Sequence, residues 1–258
     1  MTAQAILEAN RIGMTFDTPS GAVEAIREVS FELEAGEIVA LIGPSGCGKS
    51  TLFNIISGLL DPSRGEVRIG GVDGISRSVG YMLQKDLLLP WRTVIDNVVL
   101  GLEVRGVAKS ESYPKAQALI EAYGLAGFEN ARPTTLSGGM RQRVAIMRTL
   151  AFDPTVVLLD EPFSALDFQT RTLLQTDVAR IIGEQQKSAV LITHDIGEAI
   201  TMADRIVVLT QRPSTVMREL SVNIDREDRS PIALRSNPRY NELFIQVWND
   251  LQQDVKVA

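Results

Sequence analysis

The sequence predicts an α/β fold with a parallel sheet at its centre, and three observations lead to this prediction. A short apolar run at residues 37–42 leads into a glycine-rich loop and then into a helical pattern. Two more apolar, β-branched runs follow at residues 155–159 and 189–193, and such runs are typical of parallel strands buried on both faces. A helical pattern at residues 168–186 separates these two runs. With 258 residues, 45% of them hydrophobic, the chain is expected to fold as one domain, residues 1–258.

An antiparallel β subdomain is predicted before the glycine-rich loop. Residues 5–9 and 29–33 alternate apolar with polar side chains, as half-buried strands do, and residues 17–21 have the composition of a turn. After the loop the pattern predicts a helix, a strand, a turn and a second strand, at residues 49–57, 66–69, 70–74 and 79–83.

The apolar period changes after Gln84, and residues 85 to about 150 are predicted to form a mostly helical insertion. Thr93 is expected to cap a helix that continues to Val104, and Ser112 a helix that continues to Tyr123. The elements predicted beyond the insertion are strands at 155–159, 189–193 and 206–209 and helices at 168–186, capped by Asp167, and at about 238–255. The segment from about 211 to 258 is expected to be a C-terminal extension of the domain.

Composition excludes several classes of protein. The net charge is −6 and the isoelectric point is near 5.0, so neither a strongly basic surface nor a nucleic-acid partner is expected. Cys47 is the single cysteine, which rules out an internal disulfide and favours a reducing, cytosolic setting. Residues 1–5 show no signal-peptide pattern, and no apolar run approaches the roughly 18 residues that span a bilayer. We therefore expect a chain that is soluble by itself.

The loop after the first core strand matches the phosphate-binding pattern G-x-x-x-x-G-K-[ST], the Walker A motif. Its residues are Gly43, Pro44, Ser45, Gly46, Cys47, Gly48, Lys49, Ser50 and Thr51. The glycines let the backbone approach an anion, and the amides that begin the next helix carry partial positive charge. Lys49 is expected to bind the terminal phosphates, and the Ser50 hydroxyl to ligate Mg²⁺. This motif predicts a nucleotide site.

A pair of carboxylates follows the strand at residues 155–159. Asp160 and Glu161 stand at the C-terminal end of that strand, the edge at which open α/β sheets bind ligands, so the segment is interpreted as a Walker B motif. Asp160 is expected to hold Mg²⁺ through water, because this ion keeps much of its hydration shell. Glu161 is expected to orient and polarise the attacking water as the catalytic carboxylate.

The most specific run is Leu136-Ser137-Gly138-Gly139-Met140-Arg141-Gln142-Arg143, in which Ser137 can cap a helix and the glycines expose its first amides as a second anion site. Here the sequence resembles the ATP-binding cassette (ABC) ATPases, whose signature is LSGGQ, and the resemblance covers nearly the whole chain. It implies the ABC ATPase fold, in which a P-loop NTPase core carries an antiparallel β subdomain and a helical insertion. The resemblance also implies a dimer that binds ATP between Lys49 of one subunit and the signature of the other. The signature contacts expected are Ser137, Gly138, Gly139 and Gln142. Met140 stands where the family often has Gln.

The remaining markers of the family follow in the expected order. Gln84 resembles the Q-loop glutamine, which reaches the Mg²⁺ shell, and Asp167 lies in the segment that resembles the D-loop along the dimer seam. His194, the single histidine, resembles the switch residue that contacts the γ-phosphate and is expected to act in catalysis. Phe16 stands where the family often stacks an aromatic ring on adenine, and simple core packing is an equal alternative.

Residues 85–94 are unusually apolar for a loop and predict a partner surface. In ABC transporters this neighbourhood accepts a helix of the membrane subunit. Together with Arg212-Pro213, residues 89–98 are similar to the ATP-binding subunits of nitrate, sulfonate, taurine and bicarbonate importers. The resemblance implies an ATPase that works as a homodimer with ATP and Mg²⁺, on the cytoplasmic face of the inner membrane. Its partners would be a permease and an external solute-binding protein.

Three other functions agree less well with the sequence than solute import does. An ABC ATPase of DNA repair or translation would favour a coiled-coil insertion, tandem cassettes or basic surfaces, and none is visible in the sequence. A small-molecule kinase has no use for the signature run or for the Gln84 and His194 pair. A nucleotide-gated scaffold without turnover has no need of Glu161. A cassette of another import system is the alternative that stays open.

Overall fold

The computed structural model describes residues 5–70 and 79–256, and its strands form one mixed sheet with the order β4-β1-β2-β9-β8-β3-β7-β6-β5. The strands are β1 (Ala5–Thr18), β2 (Gly21–Glu34), β3 (Ile38–Ile42), β4 (Arg64–Ile69), β5 (Val79–Met82), β6 (Val156–Asp160), β7 (Ser188–Thr193), β8 (Arg205–Leu209) and β9 (Ser214–Ser221). The helices are α1 (Lys49–Ile56), α2 (Val94–Val98), α3 (Leu100–Val104), α4 (Lys109–Ala122), α5 (Gly138–Leu150), α6 (Phe168–Glu184), α7 (Ile196–Met202), α8 (Pro231–Leu234) and α9 (Pro238–Lys256).

The parallel core consists of β8, β3, β7, β6 and β5. Every residue of β3, β6 and β7 is buried, which is why these strands are continuous apolar runs in the sequence. Because parallel strands end at the same edge, β3, β6 and β7 bring three motifs together there: the glycine-rich loop, the carboxylate pair and His194.

The antiparallel subdomain predicted from alternation is present. β1 and β2 form a hairpin that closes between Thr18 and Gly21, and β4 pairs with the other edge of β1. β9 connects this subdomain to the core, because it pairs antiparallel with β8 and parallel with β2. The sequence analysis missed β9, whose side chains are mostly half-buried or exposed and so give no apolar pattern.

The four helices α2 to α5 lie between β5 and β6. Thr93 caps α2 as expected, with its hydroxyl accepting from the Asp96 amide at 3.2 Å. The predicted cap at Ser112 is wrong, because α4 begins three residues earlier and Ser112 is buried inside it. Buried Asn97 fixes the loop before α2: its side chain accepts from the Leu89 amide at 2.8 Å and donates to the Thr93 carbonyl at 2.9 Å.

The C-terminal segment packs against the core through α9. Leu243 and Val247 are fully buried in the cluster of apolar side chains that includes α7 and β8. Ahead of α9, Asp204 forms ion pairs with Arg226 and Arg229. The turn predicted at residues 70–74 lies outside the described residues after Gly70.

Candidate nucleotide site

The glycine-rich loop between β3 and α1 has a backbone that side chains would strain. Gly46 and Gly48 have φ angles of +78° and +105°, in the left-handed region that L-residues rarely adopt. A Cβ on Gly48 would also lie 3.1 Å from Cγ1 of Ile26 on β2. The glycines at these positions therefore permit both the tight turn and the contact with the antiparallel subdomain.

The Lys49 side chain is folded into this loop. Its ammonium donates to the Gly43 carbonyl at 2.7 Å and to the Pro44 carbonyl at 2.9 Å, and the residue is only 7% exposed. The ammonium also lies 3.8 Å from Sγ of Cys47, whose thiol is buried. Burial raises the pKa of the Cys47 thiol, so the thiol stays protonated and unreactive near neutral pH. The loop thus holds a buried cation whose partners are neutral carbonyls, a suitable place for phosphate oxygens.

A magnesium ion fits the donor set at Asp160. This carboxylate ends β6, is 6% exposed, and forms a hydrogen bond with the Ser50 hydroxyl that begins α1. The Tyr81 hydroxyl lies 3.4 Å from its Oδ2. Burial raises the pKa of Asp160, because desolvation disfavours the ionised form of the carboxylate. One carboxylate and one hydroxyl agree with the way Mg²⁺ binds at nucleotide sites, where phosphates and water complete its shell.

Three polar side chains converge at the end of the sheet. Gln84 donates from Nε2 to Oε2 of Glu161 at 2.9 Å, and Nδ1 of His194 lies 3.3 Å from the same oxygen. Glu161 has a φ of +45°, and its amide donates to the Ile192 carbonyl at 2.9 Å. A non-glycine residue in this region is uncommon, and such strained positions cluster at functional sites. The carboxylate is therefore held in place from both its backbone and its side chain.

The signature run begins α5 as the sequence predicts. Ser137 caps the helix, and its Oγ accepts from the Met140 amide at 3.3 Å. Gly139 packs closely on α6, because a Cβ there would lie 2.6 Å from Cγ2 of Thr170. Gln142 does not point outward from the signature: it is 7% exposed, and its amide donates to the Pro162 carbonyl. In this structure Gln142 connects the signature helix to the segment after Glu161.

An open cleft of about 810 Å³ lies beside Glu161, between Gln84 and the start of α5. It is lined by residues from the Q-loop, signature and catalytic segments, among them Gln84, Gly138, Glu161, Leu166 and His194. Asp167 comes directly after Leu166, which lines the cleft, and it caps α6 by accepting from the Thr170 amide at 3.1 Å. Phe16 lies on β1 opposite Val23 and is 37% exposed. The cleft is shaped by segments that are up to 110 positions apart in sequence, counted from Gln84 to His194.

Comparison with known sequences agrees with this geometry. The sequence pattern of the family described as ABC transporter matches residues 26–164, which include the glycine-rich loop, the signature and the carboxylate pair. The chain belongs to the ABC transporter family. As an ABC ATP-binding protein it is an ATPase, and its fold is that of the ABC cassettes.

Relatives of this ABC protein match most of its length. The ATP-binding protein YtlC of Bacillus subtilis is 42% identical over 95% of both chains. The nitrate import ATP-binding protein NrtD of Synechocystis is 40% identical, over 87% of this chain and 85% of NrtD. The taurine import ATP-binding protein TauB of Yersinia pestis is 42% identical, over 84% of this chain and 87% of TauB.

A solved structure has the same fold. The dimeric, post-hydrolysis ABC cassette MJ0796 bound to ADP and Pi superimposes with a TM-score of 0.75 and 32% identity. The match covers 85% of this chain and all of that cassette.

Sequence reasoning missed the ion pair and the hydrogen bonds that connect the loop after Gln84 to the signature helix of this ABC cassette. Arg141 on α5 donates from Nε to Oδ2 of Asp86 at 3.1 Å. About two helical turns further on, Arg148 donates to the carbonyls of Asp86 and Leu87 at 2.6 and 2.8 Å. These partners are 55 to 62 positions apart, so no local pattern in the sequence indicates the contact.

Buried Glu198 on α7 makes the stability of the cassette depend on pH. Burial, and then the Asp195 carboxylate, raise its pKa from 4.5 to about 8. Between those values the folded chain keeps a proton that the unfolded chain releases, so the free energy of unfolding falls as pH rises. Glu198 lowers the free energy of unfolding by up to about 1.4 kcal/mol for each pH unit in this range.

Glu198→Gln is therefore expected to remove that slope and to be more stable than the wild type at about pH 8. Urea denaturation at about pH 6 and about pH 8 measures this. Glu184→Gln is the matched control, because Glu184 is exposed on α6 and pairs with Arg180. Equal slopes for wild type and Glu198→Gln would show that the carboxyl titrates normally.

Proposed function

We propose that the chain is the ATP-hydrolysing subunit of an importer for a small oxyanion or organic solute of the nitrate, sulfonate or taurine type. The observation that carries the proposal is the similarity, over most of the chain, to nitrate and taurine import ATP-binding proteins. A permease and an external solute-binding protein are the proposed partners. The proposed location is the cytoplasmic face of the cell membrane, and no helix in the described ranges is long and apolar enough to cross the bilayer.

The proposed working unit is a homodimer that closes on two nucleotides. Lys49 and the loop amides would bind the phosphates from one subunit, while the partner subunit's Ser137 would present the first amides of its α5. The solved dimeric cassette of the same fold supports this arrangement. Phe16, on the β1–β2 hairpin, is proposed to stack on the adenine ring.

The catalytic roles follow from the geometry of the cleft. Ser50, Asp160 and Gln84 are proposed to hold Mg²⁺, which when bound neutralises charge on the phosphates. Glu161 would accept a hydrogen bond from the attacking water and orient it in line with the γ-phosphate. Gln84 and His194 both contact Oε2 of Glu161, so they fix the direction in which this carboxylate points. Both side chains line the cleft, and from there they would reach the γ-phosphate of a bound nucleotide.

The proposed permease surface lies on the loop after Gln84. Trp91 is 68% exposed and Leu87 is 53% exposed, whereas Leu88 is buried. The sequence analysis predicts one partner surface over residues 85–94. In the structure this stretch contains both buried and exposed apolar side chains. Asn97 holds the backbone of this loop in place, so the indole of Trp91 projects from a fixed position.

The test is purification of the Glu161→Gln protein from its native membrane in Mg·ATP, with the bound proteins identified by mass spectrometry. A transmembrane permease is expected. Trp91→Ser should lower its recovery about tenfold or more, since buried aromatic anchors dominate many interfaces. Leu173→Ser is the matched control, because Leu173 is also exposed but lies on α6. Recovery of a soluble nucleic-acid complex without a permease would contradict the importer.

A further inference from the structure

An aromatic stripe on α9, formed by Tyr240, Phe244 and Trp248, is not used by the nucleotide site. These residues recur every four positions, so they lie along one side of the helix. The rings of Tyr240 and Phe244 are 6.2 Å apart, and Phe244 and Trp248 are 37% and 51% exposed. Leu243 and Val247 attach the helix to the core and Tyr240 is partly buried against it, so Phe244 and Trp248 are the members of the stripe that leave apolar surface exposed.

The aromatic stripe borders the catalytic cleft. Phe244 and Trp248 share a pocket of about 470 Å³ with His194 and Asp195. His194 also lines the cleft and contacts Glu161. One histidine therefore lines both the pocket of the stripe and the catalytic cleft.

Exposed apolar side chains continue from the stripe to the D-loop. Phe168 directly follows Asp167 and is 65% exposed. It lines a second pocket together with Tyr240, and the Arg235 guanidinium lies 5.7 Å from its ring centre. Leu166, on the other side of Asp167, lines the catalytic cleft. The pocket that Phe168 and Tyr240 share is lined mostly by polar side chains, so the stripe reaches the cleft mainly at His194.

We propose that the aromatic stripe packs against a second copy of this chain and extends the nucleotide-bound dimer beyond its ATP sites. This rests on the proposed function, in which ATP lies between two subunits. The segment around Asp167 resembles the D-loop along that seam, and His194 lines the adjacent cleft. A two-fold dimer buries the same patch on both copies, so a surface continuous with the D-loop and His194 lies at the edge of that interface. Contiguous exposed aromatic side chains are typical of such contacts.

Trp248 reports on this contact directly. Trp91 and Trp248 are the two tryptophans of the chain, so Trp91→Phe leaves one indole, in the stripe. In the Glu161→Gln, Trp91→Phe protein, Mg·ATP is expected to shift the fluorescence emission of Trp248 to shorter wavelength. Light scattering on the same samples should show that the molecular mass doubles. The shift should depend on protein concentration. A shift at every concentration, without dimer formation, would place the change inside one subunit and overturn the proposal.

A substitution measures the contribution of the stripe. Trp248→Ser, in the Glu161→Gln background, is expected to raise the dimer dissociation constant in Mg·ATP about tenfold or more. Val104→Ser is the control, because Val104 is 80% exposed on α3 and lies outside the stripe. The stripe contact is wrong if Trp248→Ser leaves the dissociation constant unchanged and the Trp248 emission of the Trp91→Phe protein does not shift, although both proteins dimerise. The ATP-bound dimer itself would still be supported by that result. A Glu161→Gln protein that stays monomeric in Mg·ATP would overturn both.

Discussion

Glu161→Gln is expected to lower the rate of ATP hydrolysis by about 10²- to 10⁴-fold, the usual contribution of a positioned general base. The amide keeps the size of the side chain and can still accept from Gln84, so the cleft should keep its shape. ATP binding should persist, because the loop and Lys49 are untouched. Phosphate release measures the rate, and equilibrium titration with a fluorescent ATP analogue measures binding.

Glu184→Gln is the control for removing one carboxylate, since Glu184 is exposed, pairs with Arg180 and is not among the residues that line the cleft. It should hydrolyse ATP at the wild-type rate. If Glu161→Gln kept more than about a tenth of that rate, another group would have to activate the water. His194→Ala and Gln84→Ala would then be compared to find it.

Lys49→Ala is expected to weaken ATP binding about 10- to 100-fold, which corresponds to about 1.5–3 kcal/mol for a charge-assisted hydrogen bond. The ammonium lies against the Gly43 and Pro44 carbonyls, at the place where phosphate oxygens are expected. Removing it leaves the loop with less positive charge and two carbonyls without their donor. Calorimetric titration with Mg·ATP measures the change.

Lys115→Ala removes a similar charge from an exposed i,i+4 pair with Glu111 and should leave ATP affinity unchanged. Thermal unfolding of both variants separates a loss of binding from a loss of folding. A folded Lys49→Ala protein with wild-type affinity would show that the phosphates bind away from this loop.

The elements near the site were predictable because their signals are local. The loop glycines, the Ser137 cap and the Asp167 cap each act within a few residues, and the structure has both caps as expected. Buried parallel strands such as β6 are equally direct, because burial on both faces requires a continuous apolar run.

The rest depends on contacts between distant parts of the chain. Ser112 has the residue type of a cap but is buried inside α4, where tertiary packing overrides the local preference. β9 has few buried side chains because its place is set by pairing with β8 and β2. The inward turn of Gln142 is fixed by the Pro162 carbonyl, 20 positions away. None of these contacts leaves a pattern in the neighbouring residues.

The contacts of Gln84 and Asp86 limit how far α5 can move relative to the edge of the sheet that carries Glu161. Gln84 is bonded to Glu161 at the sheet edge, and Asp86 is paired with Arg141 on α5, so a segment of three residues ties the two parts together. Such a segment spans at most about 11 Å even when fully extended, which leaves it little slack. A displacement of α5 by several ångströms must break one of the two contacts. Movement of the loop that carries Trp91 and the position of the Glu161 carboxylate are therefore expected to be coupled.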